Sequence, residues 1–560
     1  MMAIKKTVFT SALAAPLTLV SLSALAAGIT PIPNANPKTA GIVTANNLSP
    51  ELAEIALASG ATPLENPAGL LKFYGYAGDG PMVPAPGDVQ STSHNVEATK
   101  TEPDKNTYLI LDRQQGGDPS YDYGRHFLFQ GHEASVKDPN TGLRLGHITR
   151  INLDADAAHR VTLLADKDSS GAPLPTFDGS TWDPWAGRLL FTAELGNGGG
   201  VWQSTLDGQA EDISGALGRG GYEGIQNDSD GNLWIIEDVG GNRGAVNKNA
   251  RQPNSFVYRF IPTDARDLTR GGKLQALAVM SKRHAGAIVF NSANIDDDVK
   301  SDDIKDLHTY GQVFNTQWVT IHDTAIDGDA PFDANAKAKG KATPFKRPEN
   351  GQFRPNSGFR EFYFTETGDT NLNTEAGAEF GGFGGILKLS QPFPSANSGR
   401  LTIFYRGDAQ HTGLDNIAFL TESLVIAVED AGDTLHGQRN ALDSGYLLEA
   451  GRDYSNPANQ PLRWLAQGRD ASATLDSGLL GIAGSGFQND GDNEITGIHV
   501  SDGDPRTRGI LGAKRPTPFA DGWRVFYTHQ HGDNVTYEVV LRNRLREGDR
   551  AVEDERDFEE

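Results

Sequence analysis

Leu-Trp-Ile-Ile-Glu-Asp-Val-Gly-Gly-Asn (233–242) runs an apolar strand into acidic residues and then into a glycine turn. The same order recurs in FLFQGHEA (127–134), LLFTAELGNG (189–198), FYFTETGDTN (362–371), LVIAVEDAGDT (424–434) and VFYTHQHGDN (525–534). Self-similarity at a spacing of tens of residues is the mark of a repeated supersecondary unit. A blade of four strands takes roughly 40–50 residues. The spacings here are larger and uneven, so insertions are required. The longest gap, 242 to 362, holds further strand candidates at 256–260, 274–279 and 317–322, and an Asp-rich stretch, 291–306, that reads as loop or short helices. The expectation is an all-β chain, a six-bladed β-propeller, with a seventh blade if the long gap hides one.

Composition agrees with many short strands. Among 560 residues there are 65 Gly and 29 Pro, the residues that set turn geometry. There is no cysteine, which excludes disulfides, thiolate metal sites and cysteine nucleophiles. The formal net charge of −23 argues against nucleic acid as a partner, because phosphate backbones demand a basic face. An acidic protein that handles phosphate esters needs bound cations to reverse its local field.

Four domains are expected. Residues 1–27 read as a secretory signal peptide: Lys5 and Lys6 precede an apolar run, Val8 to Leu25, that closes on small residues. The pair is Lys-Lys, which favours general secretion and a periplasmic or secreted protein. Residues 28–105 read as an irregular extension with one short helix, Ser49 to Ser59. The propeller follows over 106–545 and a solvated acidic tail over 546–560. No other stretch is long and apolar enough to span a bilayer.

In a propeller, side chains just past the same end of each channel-lining strand converge on one mouth. The repeat puts Glu133, Glu194, Glu237, Glu366 and Glu429 at such positions. Carboxylates gathered so closely repel one another unless cations lie among them, and hard oxygen donors point to Ca²⁺. NDSDGN (227–232) and NDGDNE (489–494) lack the full spacing of a Ca²⁺ loop and read as turns.

Four of these stretches resemble the PhoX-type alkaline phosphatases and their wider family of calcium-dependent propellers. FDGSTWDPWAGRLLFTAE (177–194) is similar to the family segment ending in a metal-binding Glu, here Glu194. KRPENGQFRPNSGFREFYFTETGD (346–369) resembles its Arg-x-Glu block, with Arg347 and Glu349 in the matching places. GLDNIAFLTESLVIAVEDAGD (413–433) resembles its Asp-Asn segment, with Asp415, and VFYTHQHGDN its closing strand, with Gln530 and His531. GHEA and GYEGIQ, with Glu133 and Glu223, fit more loosely.

The resemblance implies a propeller mouth holding several Ca²⁺ ions, with iron in the phosphatase members, that hydrolyses phosphate monoesters. Carried onto this chain, Asp178, Glu194, Glu223, Glu349, Asp415 and Glu429 are the expected metal ligands. Arg347 is the expected phosphate-binding residue, and His531 is expected either to protonate the leaving group or to stabilise charge on the phosphoryl group. Family phosphatases bridge iron with a cysteine where this chain has Phe177-Asp178-Gly179, so Ca²⁺ alone is favoured and a small phosphate ester is the expected partner. Two alternatives stand beside this: another Ca²⁺-dependent propeller hydrolase, phytase-like or lactonase-like, and a non-catalytic Ca²⁺-stabilised binding propeller.

Overall fold

The structure is a computed structural model that describes residues 28–38, 45–77, 100–134, 136–138, 140–290, 293–468, 494–531 and 534–543. The expected signal peptide, the acidic tail and most of the NDGDNE string lie outside these residues. Among the described residues the chain is almost all strand, with short helices between strands. No helix among them is long and apolar enough to cross a membrane.

The strands form antiparallel meanders in which sequential neighbours pair. Two four-stranded sheets run in chain order from Pro103–Ile110 to Val161–Ala165 and from Ser180–Asp183 to Ala210–Asp212. A nine-stranded sheet spans Tyr222–Asn227 to Ser398–Arg406, and within it Phe314–Asp323 joins two meanders by pairing with both. Two further meanders start at Leu414–Phe419 and Glu494–Ser501.

The first strand of each meander faces its neighbours around a common axis. Pro103–Ile110 packs on Ser180–Asp183, then Tyr222–Asn227, Pro348–Phe353, Leu414–Phe419 and Glu494–Ser501, which returns to Pro103–Ile110. This closed ring of inner strands is the arrangement of a β-propeller. Apolar side chains fill the wedges between sheets. Trp234 packs at 5.1 Å on Trp318 and at 5.0 Å on Phe353, sealing the two meanders of the long sheet.

Residues 28–105 differ from expectation. Asn47–Leu48 adds to the sheet begun by Leu414–Phe419, and Leu52–Ala58 pairs with Val535–Leu541. The expected helix at Ser49–Ser59 is therefore a strand. Its sequence LAEIALA offers both periods, and pairing with the last strand decides between them. The Asp-rich stretch does form short helices, Ile295–Asp298 and Asp302–Leu307.

Candidate metal centre

Each inner strand begins with an acid. Asp104, Glu223, Glu349 and Asp415 hold the second place of their strands, Glu494 the first, and Asp178 stands two residues ahead of its strand. Local irregularity accompanies the pattern: pairing shifts register at Pro103/Asn106, Tyr222/Ile225, Pro348/Gly351, Leu414/Ile417 and Thr496/His499. Such bulges bend a strand and re-aim its side chains. Close approach of the strands requires glycine beside Asp178, where a Cβ on Gly179 would fall 2.1 Å from the carbonyl oxygen of Glu223.

The second strand of each meander ends at the same mouth. Glu133 follows His132, which pairs with Pro103, and Asp238 follows Glu237, which pairs with Tyr222. Asp430 follows Glu429, which pairs with Leu414, while Glu194 bridges Gly221. Together with the six inner-strand acids these four line one cavity of about 80 Å³, and among the described residues Arg347 is the only basic one on its wall.

Within the cavity three triads bring carboxylate oxygens within 4.8 Å of one another: Asp104, Glu133 and Asp178; Asp178, Glu194 and Glu223; Glu223, Glu349 and Asp415. At an effective dielectric near 20, two full charges at that separation repel by about 3.5 kcal/mol. Burial, with the neighbouring acids added to it, holds Asp104, Asp178, Glu194 and Glu223 well above the usual carboxylate range. Glu349 and Glu494 are raised in the same way. Burial pushes Glu133 and Asp415 up to about 7. The donor set is all oxygen, crowded and anionic, and it fits hard divalent cations. It offers neither sulfur nor imidazole within the triads.

Polar residues orient the ring. Asp415 accepts from Asn350 Nδ2 at 3.2 Å and from Asn416 Nδ2 at 3.0 Å. Glu349 Oε1 accepts from Thr367 Oγ1 at 2.7 Å. Beside Asp104, Lys105 is buried and donates from Nζ to Asn416 Oδ1 at 2.7 Å. Its ammonium is pushed down to about 8 by burial, against the pull of Asp415 and Asp104.

Arg347 aims its guanidinium at the wall, Nε donating to Asp238 Oδ2 at 2.8 Å and Nη2 lying 3.5 Å from Glu349 Oε1. Its φ of 56° is a left-handed conformation that costs a non-glycine residue about 1–2 kcal/mol and gathers at functional sites. His531, with φ 65°, stands beside the cavity. Its Nδ1 is 3.1 Å from Glu102 Oε1 and its Nε2 is 3.4 Å from Glu494 Oε2. Burial alone would lower its pKa, but the two carboxylates hold it well above the usual histidine value.

Of the expected ligands, Asp178, Glu194, Glu223, Glu349 and Asp415 come together, and Glu429 does not. Its carboxylate takes Arg439 Nη1 at 2.9 Å and the backbone N–H of Ser444 at 3.0 Å. Glu237 and Glu366 are displaced likewise. Glu237 accepts from Tyr258 Oη and Asn335 Nδ2, and Glu366 from the Lys346 N–H, with His308 at 2.9 Å. The reason is register. Side chains alternate faces along a strand, so acids one residue short of the mouth point into the sheet packing instead. The strands that carry these endings are second in their meanders, not innermost. Asp104, Asp238, Asp430 and Glu494 were missed, although the recurring apolar-then-acid dipeptides Pro103-Asp104, Phe177-Asp178, Tyr222-Glu223, Pro348-Glu349 and Leu414-Asp415 were available as a signal.

Fold and site together define a β-propeller whose mouth is a carboxylate-lined cavity with the donor set of a metal site. Over residues 216–453 the sequence matches the family described as alkaline phosphatase PhoX. Among solved structures, Pseudomonas fluorescens PhoX in complex with vanadate, a transition state analogue, aligns over 91% of this chain and 98% of its own, with TM-score 0.53 and 12% identity. A catalytically inactive virginiamycin B lyase from Staphylococcus aureus with quinupristin aligns over 79% and 96% at TM-score 0.30 and 11% identity. Pseudomonas aeruginosa periplasmic gluconolactonase aligns over 75% and 98% at TM-score 0.28 and 12% identity, and neither of these two bears on the fold. No curated protein matches the sequence.

Proposed function

We propose that this chain is an exported, six-bladed, Ca²⁺-dependent phosphatase that hydrolyses phosphate monoesters at the acidic mouth. The observation that carries the reading is the set of three carboxylate triads linked through Asp178 and Glu223 beside Arg347. The match to the PhoX family over 216–453 supports phosphoester chemistry. Six blades follow if the nine-stranded sheet counts as two blades bridged by Phe314–Asp323. Export rests on Lys5, Lys6 and the apolar run to Leu25.

Asp104, Glu133 and Asp178 would hold one cation, Glu194 a second with Asp178 and Glu223, and Glu349 and Asp415 a third with Glu223. Asp178 lies in the region, Phe177-Asp178-Gly179, that matches the family's iron-bridging cysteine, and a carboxylate there suits Ca²⁺. When bound, divalent cations neutralise phosphoryl oxygens and activate the attacking oxygen. Arg347 offers the remaining edge of its planar fork to the non-bridging oxygens. Asp238 and Glu349 fix that fork in place. His531 has both ring nitrogens facing carboxylates, so it holds Glu102 and Glu494 in position rather than protonating the leaving group.

The test is hydrolysis of p-nitrophenyl phosphate by protein stripped with chelator and then reconstituted with Ca²⁺ or with iron. Turnover that returns with Ca²⁺ alone supports the reading. Full activity in excess chelator would sink it, and Ca²⁺ binding without turnover on phosphomonoesters, phytate or lactones would make the chain a binding propeller.

A further inference from the structure

In a chain of net charge −23, the stretch NRGAVNKNARQ (242–252) carries Arg243, Lys248 and Arg251 and no acid. It lies between the strands Leu233–Glu237 and Val257–Pro262, and it follows directly on Asp238, so it begins beside the rim of the acidic mouth.

Three acids fasten this loop by its backbone. Asp296 accepts the N–H groups of Ala245, Val246 and Asn247 at 2.9, 3.1 and 2.7 Å. Glu375 accepts those of Lys248, Asn249 and Ala250 at 3.2, 3.0 and 3.0 Å. Asp369 accepts that of Arg251 at 2.9 Å, while its other oxygen takes Lys346 Nζ at 2.9 Å and Thr374 Oγ1 at 2.6 Å. The ends of the loop are closed by the Gln252 N–H on the Asn242 carbonyl. The nearby carboxylates are thus spent on amides and on Lys346, and the loop's arginines receive none of them.

Arg243 and Arg251 stand directly opposite each other as antiparallel partners. Side chains so placed have Cβ atoms about 5 Å apart, and like charges there repel. Neither guanidinium forms an ion pair among the described residues. Arg243 is exposed, and partly buried Arg251 makes one long side-chain contact, Nη1 to the Gly241 carbonyl at 3.5 Å. Burial lowers the pKa of Arg251, and Arg243 and then Arg347 lower it further, against the pull of Asp238 and Asp369. Those two acids already hold other cations, Asp238 taking Arg347 at 2.8 Å and Asp369 taking Lys346. The guanidiniums therefore form a row, with Arg347 on the cavity wall, Arg251 beside it and Arg243 outermost.

We propose that Arg243 and Arg251 form a subsite for a second oxyanion, so that the substrates of this mouth are phosphomonoesters carrying another anionic group on a short spacer. The inference rests on the phosphatase reading above. With the phosphoryl group against Arg347, the second oxyanion lies one step outward along the row. There it relieves the repulsion between two facing cations, and guanidinium forks suit the paired oxygens of carboxylate or phosphate. An alcohol portion without charge gains nothing from these two residues.

The experiment reads binding without turnover, using phosphonates, whose P–C bond stands in for the ester. The full protein in Ca²⁺ is titrated calorimetrically with phosphonobutyrate and with phosphonobutyramide, which has the same length and an uncharged tail, at physiological ionic strength. Phosphonobutyrate should bind about tenfold more tightly, the scale of one added charge-assisted contact. Arg243→Gln and Arg251→Gln should each shrink that preference, and the double variant should abolish it. Because Arg243 is exposed and faces a like charge, Arg243→Gln should keep or raise the melting temperature. Equal binding of the two phosphonates would overturn the proposal and leave the phosphatase reading standing. A preference that survives in the double variant would also overturn it, since the tail would then be held by cations in the mouth. Binding of neither phosphonate would remove the phosphate site itself, and both readings with it.

Discussion

Asp178 and Glu223 stand at the heads of neighbouring inner strands, and each carboxylate belongs to two of the three triads. Removing either should disturb two cation positions at once, whereas Asp104 and Asp415 serve one triad each. Asp178→Asn or Glu223→Gln is expected to lower Ca²⁺ stoichiometry by two, and Asp104→Asn by one, as read by calorimetry with elemental analysis. Equal losses would contradict linked sites.

The one-residue register difference gives a paired test. Glu237 is buried and pushed up to about 8, so at neutral pH it is largely protonated, and glutamine mimics that form. Glu237→Gln should change stability by less than about 1 kcal/mol in urea unfolding and leave metal content untouched. Glu349→Gln should lose one cation and p-nitrophenyl phosphate hydrolysis together. The reverse outcome would place the mouth on the wrong face of the strands.

In the metal-free protein, Glu133 and Asp415 have folded values of about 7, against roughly 4 in an unfolded chain. Between these values the folded state binds more protons, so stability falls as pH rises. Melting temperature in chelator should therefore drop from pH 5 to pH 8, most steeply up to about 7. Saturating Ca²⁺ should abolish or reverse that slope, since protons compete for the same oxygens. A chelated protein that grows more stable over this window would refute the clustering.

Arg347 combines contacts to two acids of the mouth with backbone strain. Arg347→Ala and Arg347→Gly both remove the guanidinium and should raise KM for a phosphomonoester at least tenfold. Only glycine relieves the positive φ, so the glycine variant should be more stable than the alanine variant by about 1 kcal/mol in urea unfolding. Identical stabilities would show that the strain is carried elsewhere.

The repeat ending in acid was legible because apolar strand cores and glycine turns are local signals. It located the second strand of every meander and the mouth toward which it runs. Which acid faces that mouth was not legible, since a single residue decides the face and pairing partners lie outside any local window. Glu133 and Glu194 fell on the right side, while Glu237, Glu366 and Glu429 did not. The Arg-x-Glu block succeeded because it captures the head of an inner strand directly. The strand Leu52–Ala58 escaped for the opposite reason, since its partner, Val535–Leu541, is the far end of the chain.

That last pairing has a temporal side. Asp104 comes near the beginning of the propeller and Glu494 near its end, and the seam that brings them to one opening is sewn by pairing Leu52–Ala58 with Val535–Leu541. Contacts so distant in sequence form late and slowly. A nascent or truncated chain without Val535–Leu541 lacks that seam, so the full constellation of clustered carboxylates comes together only once that strand has been made and the circle has shut.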